Sequence, residues 1–194
     1  MSPTPRGFTT LELTVVVSFL FIVCAVLVFF VDPVERAKQK RDDRILSDSR
    51  EVLDSLSRFY ISFGRLPWSQ KVDTRELSPA LSWKPLRLPE VGICADDECS
   101  VPGELIVSGK LNPRLLTSDT VWGRNGQAFI AKGPGPKSSI YACFVPEAKA
   151  TRRNSDALVK INLNLEFPKS GTLASCPAGT TWVEEDVCYR CIQR

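Results

Sequence analysis

From Leu13 to Val31 no residue is charged, and Thr14 and Ser18 are the only hydroxyls. A helix of ~20 apolar residues rises ~30 Å, the thickness of a bilayer's hydrocarbon core. Any fold for this chain must house that rod. Glu12 stands at its start, where a carboxylate set deeply in lipid would cost roughly 2.5–3.5 kcal/mol, and less near the interface. Read along the chain, no neighbouring cation offers Glu12 a partner, which places the partner on another molecule. A buried charge is tolerable when paired.

The run Gly7-Phe8-Thr9-Thr10-Leu11-Glu12, followed by the apolar stretch, resembles the N-terminus of type IV pilins and pseudopilins. The resemblance implies that residues 1–7 are a leader cut after Gly7 by a prepilin peptidase. Phe8 would then become an N-methylated first residue and Glu12 the fifth. It further implies that Glu12 pairs with the free amine of Phe8 on a neighbouring subunit, so that processing (Gly7, Phe8) and assembly (Phe8, Glu12) share one segment. Two plainer readings compete. A secretory signal peptide would want a more basic start than Arg6 alone, a shorter core and a small-x-small exit. A simple single-pass anchor would leave Gly7 and Glu12 without a role.

Beyond the apolar run about 160 residues remain, enough for one domain with a real core. The net charge of +3 is mild and its signs are interspersed, so composition does not call for nucleic acid. The chain has no His, which removes the usual general base and the commonest metal ligand. Of seven Cys, Cys24 lies in the apolar run as a small hydrophobe. Cys94, Cys99, Cys143, Cys176, Cys188 and Cys191 form an even set, read as disulfides of an exported domain whose connectivity stays open. Cys94 with Cys99 is the first pair expected, because the two flank the short acidic loop Ala95-Asp96-Asp97-Glu98. Against export stand Arg36, Lys38, Lys40, Arg41 and Arg44 after the run, since the positive-inside rule would keep that side in the cytoplasm.

Pro33 removes a helical hydrogen bond and crowds the preceding turn, so either a kink near Phe29 or a boundary between two helices is expected there. Residues 32–63 continue as an amphipathic helix, with Ile45/Leu46, Val52/Leu53, Leu56, Phe59/Tyr60 and Phe63 at helical spacing. Gly64 and Pro67 end it. From Phe8 to Phe63 an unbroken helix would measure ~84 Å. The exit Tyr60-x3-Gly64-Arg65-Leu66-Pro67 also resembles that of pilins.

Residues 67–102 read as an irregular connection with one short helix near Asp73–Leu77, fastened by a Cys94–Cys99 bridge and tryptophans. Expected strands are 104–108, 128–132, 140–145 and 157–167, the middle pair joined by the turn Gly133-Pro134-Gly135-Pro136-Lys137. The segment from Leu111 to Cys143 resembles, more weakly, the pilin passage from loop into sheet. The tail, 175–194, holds Cys188-Tyr189-Arg190-Cys191. A thioredoxin-type motif lacks its βαβ setting here, and a zinc site lacks a suitable second pair, so disulfide clamps are favoured. The expected class is α+β: a long N-terminal helix, membrane-spanning in its first half (8–31), packed against an antiparallel sheet of a globular unit (64–194).

Without His no Ser-His-Asp set exists, and the Gly133–Lys137 turn lacks the phosphate-loop pattern. Asp96-Asp97 and Glu184-Glu185-Asp186 read as solvated loops before Ca²⁺ ligands. Lys149, Arg152 and Arg153 form a basic patch too small to argue for nucleic acid over a solvated loop. No catalytic residue, metal or cofactor is expected. The function implied by the resemblance is a filament subunit, held first in the cytoplasmic (inner) membrane and then in an extracellular pilus or a periplasmic pseudopilus. Its partners would be membrane lipid, prepilin peptidase, the assembly platform and other pilin subunits. The alternatives are a pseudopilin of a secretion or competence machine, and a single-pass protein with a ligand-binding ectodomain.

Overall fold

The computed structural model describes residues 9–69, 80–122, 128–135, 138–153, 158–161, 173–177, 182 and 187–194, with backbone alone for 27–31 and 119. The chain divides into two compact units, the first running to Ala37 and the second from Lys38 to Arg194.

The apolar run is helical: α1 spans Thr10–Val31. It stops at Asp32, whose left-handed backbone (φ 36°) breaks the hydrogen-bond ladder. A new helix, α2, runs Pro33–Phe63. Asp32 caps its start, because its carboxylate accepts from the Glu35 N–H at 3.2 Å. Pro33, at the first helical position, has no N–H that the helix needs. The structure thus realises a boundary, not a kink within one continuous helix. Among the described residues no helix is long and apolar enough to cross a membrane. Described side chains of α1 end at Val26, although its backbone stays helical to Val31.

In the second unit α2 buries the expected stripe: Ile45, Leu46, Val52, Leu53, Leu56 and Phe59 are all in the core. Each fully buried large apolar side chain contributes about 1.5–3 kcal/mol. The helix ends as read, with Gly64 at φ 66° and its N–H donating to the Tyr60 carbonyl at 2.8 Å.

Among the described residues the sheet has six strands, all paired antiparallel: β1 Leu81–Pro85, β2 Phe129–Lys132, β3 Ile140–Phe144, β4 Leu158–Lys160, β5 Ala174–Ser175 and β6 Tyr189–Gln193. Their order is β1-β2-β3-β6-β4-β5. Alternate residues face opposite sides. Ile130, Ala142, Phe144 and Ile192 join the α2 stripe, whereas Ala131, Tyr141, Cys143, Tyr189 and Cys191 build a second apolar cluster with Trp83. The observed fold is therefore α+β with an antiparallel sheet and three disulfides.

Two expectations are corrected. Residues 104–108 are not a strand: Glu104–Val107 form a short helix, α3, capped by Gly103, and bury Leu105 and Ile106. Composition favoured a strand, but a one-turn helix drives two adjacent apolar side chains into the core, which a strand would send to opposite faces. The 67–102 connection is not wholly irregular, for it contributes edge strand β1. Its buried-exposed-buried Leu81-Ser82-Trp83 pattern was hidden among prolines. The tail is clamped by disulfides as expected, and it also supplies β6, which lies between β3 and β4. Strand 157–167 is seen as Leu158–Lys160, and 162–167 lie outside the described residues, as does the helix expected at 73–77. The β2–β3 hairpin is as read, with Lys132 opposite Ile140. Its buried Lys132 Nζ donates to the carbonyls of Gly133 (3.2 Å) and Gly135 (2.7 Å).

Candidate functional site

The first turn of α1 is the candidate with chemistry of its own. Gly7 and Phe8 lie outside the described residues. Thr9 is the N-cap in extended conformation, and its hydroxyl accepts from the Glu12 N–H at 3.3 Å. Thr9-Thr10-Leu11-Glu12 is thus the Thr-x-x-Glu pattern of a capping box. That signal stands in the sequence, although the observed contact uses the Glu12 backbone N–H and not its carboxylate. A helix N-terminus carries roughly half a positive charge, worth about 0.3–1 kcal/mol to an acid in the first turn. It offsets only part of the cost of placing that acid in lipid.

Behind Glu12 every described side chain of α1, from Thr10 to Val26, is exposed. Phe19 at 66%, Phe21 at 79% and Ile22 at 63% lie a turn or less apart, so exposure goes right round the helix. The Thr14 hydroxyl donates to the Leu11 carbonyl at 2.8 Å, which leaves no proton seeking water there. Cys24 is a free, exposed thiol. A helix apolar on all sides lacks a solvated face and requires an apolar surrounding.

The second unit holds its cysteines and acids in internal contacts. The bridges are Cys94–Cys99, Cys143–Cys191 and Cys176–Cys188. Cys188 and Cys191 go to different partners for a geometric reason: residues three apart on extended chain point to opposite sides. Cys191 faces Cys143 across the β3–β6 ladder with Cα atoms 4.1 Å apart. The Cys94–Cys99 loop closes on itself where Gly103 lies flat against Gly92, since a Cβ there would come within 2.4 Å of the Gly92 carbonyl oxygen.

Two buried carboxylates on α2 were not singled out by sequence reading. Asp42 accepts from the backbone N–H groups of Glu147 (2.9 Å) and Ala148 (3.1 Å), ahead of the short helix α4, Lys149–Arg153. Asp48 accepts from the hydroxyls of Ser118 and Thr120, both at 2.6 Å. The available signal was an acid inside the apolar stripe, Asp42 beside Ile45/Leu46 and Asp48 beside Ser49/Val52. These contacts fasten loops and position nothing for chemistry.

The remaining candidates are modest. In the basic patch, Arg152 donates to the Pro146 carbonyl at 2.7 Å and lies over the Trp182 ring at 4.8 Å, so it is engaged within the chain. Asp96 accepts from the Ser100 N–H at 2.8 Å and from its hydroxyl, and that hydroxyl bond holds its carboxyl below the usual 3.8. No cluster of three His, Cys, Asp or Glu suited to a metal occurs among the described residues, and Glu184-Glu185-Asp186 lie outside them. A cleft of about 200 Å³ lies between Tyr60/Ile61 of α2 and Lys132, Ser138 and Arg194, without a nucleophile–base pair. No known family, curated protein or solved structure matches the chain.

Proposed function

We propose that this protein is a filament subunit of the type IV pilin kind, stored in a membrane through α1 and assembled by packing of the α1 helices. The observation that carries the reading is α1 itself. The uncharged sequence run Leu13–Val31 would, as a helix, come close to the ~30 Å of a hydrocarbon core, and the described side chains of α1, Thr10 to Val26, are exposed on all sides. Lipid would surround it first, and copies of the same helix afterwards. In that packed interior Glu12 needs a full positive charge, which a processed Phe8 amine would supply where the helix N-terminus gives only a fraction. Three disulfides suit an oxidising, extracytoplasmic destination. Among the described residues, Asp42, Asp48, Glu51 and Glu147 of the second unit are engaged in fastening loops, and the reading assigns that unit a structural role.

A second reading is favoured by one observation. Thr9 caps the helix through the Glu12 N–H, and an acid in that first turn suits the helix N-terminus, which is all that a single-pass anchor with a disulfide-bonded ectodomain would need of Glu12. Glu12→Gln separates the two, because Gln serves a capping box as Glu does but carries no charge. A filament subunit should lose assembly in that variant while its helix content holds. Efficient filaments from E12Q would overturn the pairing role of Glu12, and an uncut Met1 by mass spectrometry with no filaments from either form would decide for the anchor. Methylated Phe8 at the mature N-terminus is the matching result for the filament.

A further inference from the structure

We infer that the exposed acidic loop between Cys94 and Cys99 of one copy docks into the groove that α2 forms with strands β3 and β6 of another copy. The inference rests on the filament reading and names a contact beyond the packing of the α1 helices. All the residues it uses belong to the second unit.

The groove consists of two clefts that share Arg194. One, of about 400 Å³, lies between Arg50, Leu53 and Asp54 of α2 and Ile192 of β6. The other, of about 200 Å³, is the one walled by Tyr60 and Ile61. The cations that line them are Arg50, Lys132 and Arg194, against a single acid, Asp54, which pairs with Arg194. Lys132 donates to the carbonyls of Gly133 and Gly135, so pairing with an occupant falls to the two arginines. A guanidinium has five donors, and Arg194 can keep Asp54 while taking a second carboxylate. Arg50 is exposed and forms no ion pair among the described residues. Its neighbour Glu51 pairs with Arg114 at 2.5 Å. The exposed Asp43 stands seven residues before Arg50, whereas side chains on one helix meet at three or four.

The loop offers the complement. Asp97 and Glu98 are exposed and pair with no cation among the described residues. At the base of the loop the Val101 carbonyl accepts from the Ala95 N–H at 2.9 Å, and the Val101 side chain is 52% exposed. Ile61 at the groove is 82% exposed. The acids therefore meet arginines, and Val101 meets Ile61. The Cys94–Cys99 bridge and the Asp96 bonds to Ser100 set the loop's shape in advance, which lowers the ordering cost of docking.

No residue of the loop lines either cleft of its own copy. The loop is rooted where Gly92 lies against Pro67, just past the end of α2, while Arg50 stands ~20 Å earlier along that helix. Two different patches at two levels make a heterologous contact, the kind that extends a filament. A stable interface buries about 800 Å² per partner, more than one loop supplies, so packing of α1 must hold the copies at high local concentration.

The test measures filament yield, by electron microscopy and pelleting, from cells producing the full chain with its disulfides intact. R50E and D97K/E98K should each lower the yield about tenfold, and R50E/D97K/E98K should recover most of it, as coupled charges do. All three should melt as wild type does, because the changed side chains are exposed. Wild-type yield from either reversal, or loss in both without recovery in the combined variant, overturns the docking and leaves the filament reading standing. Loss in R50E alone would assign the groove a different acidic occupant and overturns the docking equally. Absence of filaments from wild type overturns the filament reading and this proposal with it.

Discussion

Helices α1 and α2 follow each other in the chain with one residue between them, yet they are held by opposite means. No described side chain of α1 is buried, whereas α2 buries ten, among them Asp42 and Asp48. The first helix shows local hydrogen bonds and the Thr9 cap among its described residues. The second draws its stability from the sheet and loops of its own unit. Adjacency in the chain therefore says little about where a helix gets its partners. What distinguishes the two is the arrangement of the apolar residues, right round one and along a single stripe of the other.

The sharpest way to break that comparison is to open the second unit without touching the first. Cys143→Ala/Cys191→Ala removes a bridge spanning 48 residues, worth about 4 kcal/mol in the chain-entropy account. Thermal unfolding of the second unit should fall markedly while helix signal from α1 in detergent persists. Next in size, Leu56→Ala should cost about 3 kcal/mol by cavity formation, and Leu20→Ala in α1 should leave the same transition unmoved. Equal shifts from the two would mean that α1 is part of the same core. Asp42→Asn should cost about 2 kcal/mol, because a buried N–H of Glu147 or Ala148 loses its acceptor. Denaturant midpoints measure it.

The smallest effect concerns pH. Asp96 has a folded-state value below 3.8, through the Ser100 hydroxyl bond first, so its contribution is present above 3.8 and is lost as pH falls through the lower folded value. Carboxyl NMR titration should show Asp96 moving back toward 3.8 in Ser100→Ala.

Much of the architecture was legible where one signal dominated. The α2 stripe, its Gly64 stop and the β2–β3 hairpin followed from spacing and turn chemistry, and Cys94–Cys99 from proximity in the chain. Strand β6 was not legible, because Tyr189-Arg190-Cys191-Ile192-Gln193 is a short run whose neighbours are 48 residues away on one side and some 30 on the other. Helix α3 failed for the opposite reason: its propensity is weak and the core chose for it. At the candidate site the Thr9–Glu12 cap was readable and passed over in favour of a distant partner.

By itself the sequence determined that an uncharged apolar helix must find an apolar home, and that its successor must bury one stripe. Those follow from residue type and period alone. Only the tertiary structure decided which cysteines meet, which strand lies inside the sheet and which acids are consumed in ion pairs. Each of those depends on chain segments far apart in sequence arriving at one place, and local propensity carries no record of that.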